Sequence, residues 1–183
     1  MRILAEDTLC IIIDDQQKLI PTIFEHEKLI SNTKKLISGL LSLNIPVLIT
    51  EHYKKGLGET VSELKEILST SEQAKFFEKI TFSAYDTAEI KEYINALNKK
   101  NVIICGTEAH ICVLQTAIDI QNSGYQVILV ADCVGSRTEE NKKIALKRAE
   151  LEGAMITTYE SILFELLRKA GTPEFKTILN IIK

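Results

Sequence analysis

Several things are missing from this chain, and each absence removes a class of protein. No apolar run in the 183 residues approaches the ~20 that a membrane-spanning helix needs. No lysine-rich block marks a membrane surface or a nucleic-acid groove, and a net charge of −3 gives no electrostatic footing for either partner. The four cysteines form no C-x-x-C, and no cysteine pair stands near a pair of histidines, which argues against a structural zinc site. A disulfide framework has no place in a chain this long and core-rich. The opening MRILAEDTLC lacks the basic region and uninterrupted apolar stretch of a secretion signal. The expectation is a cytoplasmic protein with reduced thiols. No repeat, low-complexity segment or linker divides the sequence, so residues 1–183 read as a single domain able to bury a sizeable core.

What is present is a regular alternation. Apolar, β-branched runs predict strands at Leu9–Ile13, Pro46–Thr50, Phe76–Ile80, Val102–Cys105, Gln126–Val130 and Ala154–Thr158. Hydrophobicity that is nearly continuous over four or five residues suits strands buried on both faces, as in a parallel sheet. Between them, stretches of helical period run over Lys28–Leu43, Thr87–Leu97, Asn141–Leu151 and Ser161–Lys169. Strand–helix alternation with right-handed crossovers implies an α/β fold, a Rossmann-like three-layer α/β/α sandwich around a six-stranded parallel sheet. The connection Lys54–Ser71 is long and irregular, which makes it a lid candidate. Its Gly56 and Gly58 do not join the first strand to a helix, so they are no dinucleotide fingerprint. The tail after Gly171 carries an apolar stripe on a short predicted helix, open to two uses: a contact between copies in a homo-oligomer, or packing back on the core.

Ligands of open parallel sheets bind beyond the carboxyl ends of the strands. Those ends carry Asp14 and Asp15, then Glu51 and His52, then Lys79, then Gly106 leading to Cys112, then Asp132 and Tyr159. An acid, a lysine and a cysteine on neighbouring ends would converge on one crevice. Thiolate is the reactive form of cysteine, and a cation or a helix N-terminus lowers its pKa. Cys112 falls in the first turns of a helix predicted from about Ala109 to Ser123, and Lys79 is the available cation. An aspartate can take the thiol proton and return it to a leaving group, while backbone N–H groups before the helix hold an oxyanion. The reaction implied is attack on a carbonyl, most naturally an amide, through a thioester that water resolves.

Plainer readings stand beside this one. Cys10, Cys105 and Cys133 lie in or directly after strands and read as small apolar filler, a use equally open to Cys112. Lys79 alone would be a surface residue, Asp14 a turn cap, and Asp15 a solvent-side or capping carboxylate. His110 is either a substrate contact or a half-exposed polar residue. His52 has no second histidine close in sequence with which to share a metal, so no metal and no cofactor is expected. The competing function is a protein of the same fold that binds a metabolite or partner, or responds to redox state through its thiol, without turnover.

Three blocks of sequence carry a resemblance. "IIIDDQ" matches a hydrophobic strand ending in Asp-x-Gln, and "EKITFSAY" matches Lys-x-x-x-Ser-Ala-Phe/Tyr. The long "GTEAHICVLQTAIDIQNSGYQVILVADCVGSR" matches a stretch with a nucleophilic cysteine, a strand and an Asp-x-x-x-Ser turn. Over about Thr8–Leu167 the chain resembles the isochorismatase-like cysteine hydrolases, and within them the isochorismatase-domain-containing proteins. The resemblance implies Asp14 as acid/base, Lys79 as cation, Cys112 as nucleophile, and the N–H groups of Glu108 and Cys112 as oxyanion hole. It further implies a non-proline cis peptide between Thr107 and Glu108, and assembly into dimers or larger oligomers. Nicotinamidases of the family carry an Asp-x-His…His metal site after the second strand. Here "TEHYKKGLGETVSEL" lacks that arrangement, which sets zinc, iron and nicotinamide aside. Glu51, His52, Tyr53 and His110 are the candidate pocket lining for a small-molecule substrate.

Overall fold

A computed structural model describes residues 2–183. Six strands form one all-parallel sheet: β1 (Thr8–Ile13), β2 (Val47–His52), β3 (Ala74–Lys79), β4 (Asn101–Thr107), β5 (Gln126–Gly135) and β6 (Met155–Thr157), in the order β3-β2-β1-β4-β5-β6. The α/β sandwich expected from the alternation is the fold observed. The central strands β1 and β4 are buried at every residue, which is why their sequences do not alternate. Side-chain parity still operates inside them. Leu9, Ile11 and Ile13 feed one core, and Cys10 and Ile12 feed the other. The edge strands behave differently: β3 alternates exposed and buried residues, and β6 is half exposed.

One face is covered by α1 (His26–Ser42), α3 (Ser62–Leu68), α7 (Tyr159–Leu167) and α8 (Pro173–Ile182), through Leu36, Ile37, Leu64, Leu163 and Ile178. Each such side chain withdrawn from water contributes roughly 1.5–3 kcal/mol. Gly39 lets α1 and α7 meet closely, since a Cβ there would stand 2.5 Å from Leu163 Cδ2. The other face is covered by α4 (Ala88–Leu97), α5 (Leu114–Asn122) and α6 (Glu139–Leu151), through Ile90, Ile94, Ala117, Ile120, Ala145 and Ala149. Thr138 caps α6, its hydroxyl accepting the Asn141 N–H.

Two sequence expectations change, and one that was open between two uses is decided. The tail stripe packs back on the core: Ile178 of α8 is fully buried, and Ile182 lies against the same cluster. The segment Lys54–Ser71 is not an irregular lid. It holds α2 (Lys54–Leu57) and α3, and it is riveted to the sheet by Glu51 and Gln16. Strand β5 runs five residues further than its apolar core, because β4 continues beside it and pairs Gly106 with Val134 and Thr107 with Gly135.

Candidate active site

The direction of strand addition reverses between β1 and β4, so their carboxyl ends flank the crevice of the sheet. Gly106 makes the close approach possible. Its φ is +112°, and a Cβ there would lie 2.1 Å from the Ile13 carbonyl oxygen. Asp14 follows β1 with φ of 52°, a left-handed conformation that aspartate tolerates better than most residues. Its Oδ1 accepts from the Thr50 hydroxyl at 2.6 Å, and its Oδ2 accepts from Lys79 Nζ at 2.7 Å. Lys79 comes from β3, and since β2 stands between β3 and β1 the strand ends are not all neighbours as the sequence suggested. Its ammonium also donates to the carbonyls of Thr81 and Phe82, both at 3.1 Å. All three ammonium protons are therefore committed. Both charged side chains are wholly out of water. A pair so buried is held by the completeness of its hydrogen bonds rather than by net Coulomb gain.

Cys112 enters from the opposite wall. A single α-helix from about Ala109 was expected. Instead Ala109–Val113 form a π-turn, with the Val113 N–H donating to the Glu108 carbonyl, and α5 begins at Leu114. Such one-turn π segments recur at functional sites because they re-aim a side chain. The peptide between Thr107 and Glu108 is cis, as the resemblance implied. The Glu108 carboxylate is gripped by Arg137 in a two-pronged contact, Nε to Oε2 at 3.0 Å and Nη2 to Oε1 at 3.1 Å. Thr107 donates its hydroxyl to the Asp14 carbonyl at 2.9 Å, tying this loop to the end of β1.

The electrostatics correct one expectation. Cys112 is not a resting thiolate. Burial pushes its thiol up to about 12; the Asp14 charge adds to the rise and Lys79 opposes it. The lysine acts in the expected direction and is outweighed. Asp15 also departs from its reading as a solvent-side or capping carboxylate. It is fully buried, and among the described residues neither oxygen has a hydrogen-bond partner. Burial pushes its carboxyl up to about 8, the Thr107 hydroxyl draws it down, and Asp14 adds to the rise. Because that hydroxyl donates to the Asp14 carbonyl, its pull on Asp15 is weak.

The four candidate lining residues divide. Glu51 is a structural anchor: Oε1 accepts the Thr60 N–H at 2.8 Å and the Thr60 hydroxyl at 3.0 Å, and Oε2 pairs with Lys54 at 2.9 Å. His52 stands beside Lys79 in the β2–β3 register, its ring 5.6 Å from that of Phe82. Burial and the Lys79 charge lower its pKa, while Asp14 and the Thr81 backbone pull it up. Tyr53 is 57% exposed and gives its N–H to the Lys79 carbonyl, so it secures the end of β3. His110 Nδ1 lies 2.9 Å from Ser136 Oγ on the wall that carries Cys112.

Sequence reasoning gave no role to Thr50, Thr107, Arg137 or Gln16. Gln16 donates to the carbonyls of His52 and Gly58 and accepts the His52 N–H at 2.7 Å, clamping the loop after β2. Strand parity was the available signal for Thr50, since it sits level with Ile13 on β2. Cys10, Cys105 and Cys133 are fully buried in the core on the α1 side, as expected for filler. Among the described residues no group of three or more His, Cys, Asp or Glu side chains is disposed to hold a metal ion. No helix of the described residues is long and apolar enough to cross a membrane.

A buried carboxylate–lysine pair facing a cysteine across the switch point of a parallel α/β sheet narrows the class of protein considerably, and comparison with known proteins narrows it to a family. The isochorismatase domain model matches residues 8–161. The chain belongs to the isochorismatase family and has its hydrolase fold. It is 37% identical to a secreted isochorismatase effector of Phytophthora sojae, over 100% of this chain and 87% of that one. The structure of MAR1 ribonuclease from Caenorhabditis elegans superimposes with a TM-score of 0.92 at 34% identity, covering 100% of this chain and 92% of the other. The YcaC gene product of Escherichia coli, described as an octameric hydrolase of unknown specificity, gives 0.91 at 24% identity over 99% and 90% of the two chains, a likeness of fold.

Proposed function

We propose that the protein is a metal-independent cysteine hydrolase that cleaves a small amide or related C–N bond through a thioester. The observation that supports this most is Asp14, wholly buried, hydrogen-bonded by Thr50 and Lys79, and in electrostatic contact with the Cys112 thiol. Cys112 rests as a thiol, so its proton passes to Asp14 as sulfur attacks the carbonyl carbon. The Asp14–Lys79 pair is neutral overall before that transfer. Afterwards Asp14 is neutral and the negative charge has moved through sulfur to the former carbonyl oxygen, so net charge in the buried site does not change. The N–H groups of Glu108 and Cys112 receive the oxyanion. Asp14 then gives its proton to the departing amine, and the C–N bond breaks to leave the thioester. Water, deprotonated by Asp14, attacks the thioester and releases the acid, and the proton returns to sulfur.

The arrangement of Glu51 and Arg137 supports scaffolding roles, with His52 and His110 left to touch substrate. A reducing, cytoplasmic setting belongs to the same reading, because all four cysteines are free thiols and the chemistry needs one. We also propose self-association. The E. coli relative is an octamer, and Tyr53, Ile80 and Phe82 expose apolar surface beside the end of β3. Light scattering behind size exclusion tests it, and a monomer at all concentrations removes it. Nucleic acid is not proposed as substrate, since the net charge of −3 offers phosphate backbones no attraction.

The decisive experiment supplies small amides to wild type and Cys112→Ala and follows ammonia or amine release, with mass spectrometry of the intact chain for an acyl adduct. The expected result is release by wild type alone and an adduct on Cys112. Equal release by both proteins overturns the assignment. The raised thiol pKa favours one alternative, a ligand-binding protein with a dormant thiol. Compounds that raise the melting temperature and are recovered unconverted at high protein concentration would establish it.

A further inference from the structure

A second cleft lies on the far side of β5 from β4, and its origin is the mismatch between β5 and β6. β6 pairs only with Ile128, Leu129 and Val130, while β5 continues to Gly135. Beyond that pairing, the start of α1 and the start of α6 flank the free edge of β5 and enclose about 150 Å³. That is well above the ~10–15 Å³ that admits one water. None of Asp14, Lys79 and Cys112 lines it.

Its charges sort themselves by pairing. Lys143 is engaged by Glu139 at 2.8 Å, and Lys28 faces Glu25 at 3.8 Å. Two opposite charges are left over. Lys142 is half-buried against the cleft, and no carboxylate of the described residues closes an ion pair with it. Burial lowers its pKa; Asp132, Cys133 and Glu25 oppose that fall, and Lys28 adds to it. Asp132 uses Oδ1 to accept the Tyr159 N–H at 2.9 Å, and among the described residues no donor reaches Oδ2. Between these charges the walls are apolar: Phe24, Leu29, Val134 and Leu146. A simple anion would meet Lys142 but also the Asp132 carboxylate. A simple cation meets the reverse. A molecule with both charges and an apolar body satisfies every wall at once.

We propose that this cleft binds a free α-amino acid with an apolar side chain, its carboxylate on Lys142, its ammonium on Asp132 and its side chain against Phe24, Leu29 and Leu146. The site is independent of the hydrolytic reading, since it shares no residue with that chemistry. It touches it at one remove, because Ser136 lines the cleft and is hydrogen-bonded to His110, two residues before Cys112.

The test is protection of one amine in the wild-type protein. Lysines are acetylated with limiting reagent and quantified by peptide mass spectrometry, with L-leucine, 4-methylpentanoate or 3-methylbutylamine present at matched millimolar concentrations. Leucine at about ten times its Kd is expected to slow modification of Lys142 roughly tenfold by mass action, and neither analogue does so. Lys143 serves as the internal control. Calorimetry with Lys142→Met is expected to lose leucine binding, with the melting temperature of the ligand-free variant close to wild type. An unchanged Lys142 rate in saturating leucine overturns the proposal. So does equal protection by 4-methylpentanoate, which would make the cleft a plain anion site.

Discussion

Asp14 and Asp15 are adjacent in sequence and equally buried, yet the protein treats them in opposite ways. Asp14 has a hydrogen bond to each oxygen and a lysine against one of them. Among the described residues Asp15 has no partner on either oxygen, and it faces the core that contains Cys10, Cys105 and Cys133. The left-handed turn at Asp14, just past the end of β1, sends the two side chains into different surroundings, one a prepared ionic site and the other apolar. Burial alone does not define a functional carboxylate. What separates the two is whether the fold supplies donors in the number that an ionised carboxylate needs. At Asp14 that supply comes from Thr50 on β2 and Lys79 on β3, the lysine itself held by carbonyls of the loop after β3. At Asp15 the nearest hydroxyl, Thr107, is spent on the Asp14 carbonyl.

The sharpest way to break this contrast is to remove the Asp14 charge. Asp14→Asn is expected to lower turnover about 10³-fold, within the range that a general acid/base supplies. It also removes the negative charge that helps hold the Cys112 thiol up, so alkylation of Cys112 by iodoacetamide at neutral pH should become faster. Loss of turnover together with slower alkylation would show that Asp14 does not hold the thiol protonated. Lys79→Met works in the other direction. It leaves Asp14 ionised and buried with Thr50 alone, an uncompensated charge that costs about 3–5 kcal/mol of stability in urea unfolding. Alkylation of Cys112 should slow in this variant, since Lys79 is what draws the thiol pKa down. If alkylation quickens in both variants, the pair is not what sets the state of Cys112.

Much of this was legible in the sequence, for reasons that differ by region. The inner strands, buried on both faces, announce themselves as apolar runs, the edge strands β3 and β6 as shorter apolar or β-branched stretches, and the rule for parallel sheets then selected Asp14, Lys79 and Cys112. What stayed hidden was set by contacts between distant segments. The reach of Lys79 across the end of β2 depends on strand order, which local pattern does not encode. The length of β5 depends on the continuation of β4 beside it. Glu51 carries the residue type of a catalytic or binding acid, and only the fold shows that Thr60 and Lys54 occupy it. The thiol pKa of Cys112 is a balance between burial and two opposed charges, so the residue types gave the direction of each effect without their sum.

Asp15→Asn sharpens the contrast from the other side. A carboxyl with a folded-state pKa of about 8 and an unfolded value of ~3.9 holds its proton in the folded protein and loses it in the unfolded chain across that window. Stability therefore falls as pH rises from about 4 to 8, by at most ~1.4 kcal/mol per unit. The asparagine variant has no proton to lose there. Unfolding free energies of the two proteins should converge near pH 4 and separate in favour of the variant by about 2–3 kcal/mol between pH 5 and pH 7. Parallel curves would mean that Asp15 finds a partner or reaches water.

The smallest change makes Asp14 slightly more like its neighbour. Thr50→Val keeps the β-branched shape that suits β2 and removes the hydroxyl that donates to Asp14 Oδ1. One carboxylate oxygen is then buried without a donor, while the Lys79 contact remains. A hydrogen bond to a charged group is worth about 1.5–3 kcal/mol, and that is the expected loss of stability. Turnover should fall about tenfold rather than collapse, because the proton acceptor and its cation are both still in place. Thr50→Ser, which restores the donor, should recover most of the rate. If valine and serine lower turnover equally, the methyl packing of Thr50 matters and its hydroxyl does not, and the distinction between Asp14 and Asp15 would rest on Lys79 alone.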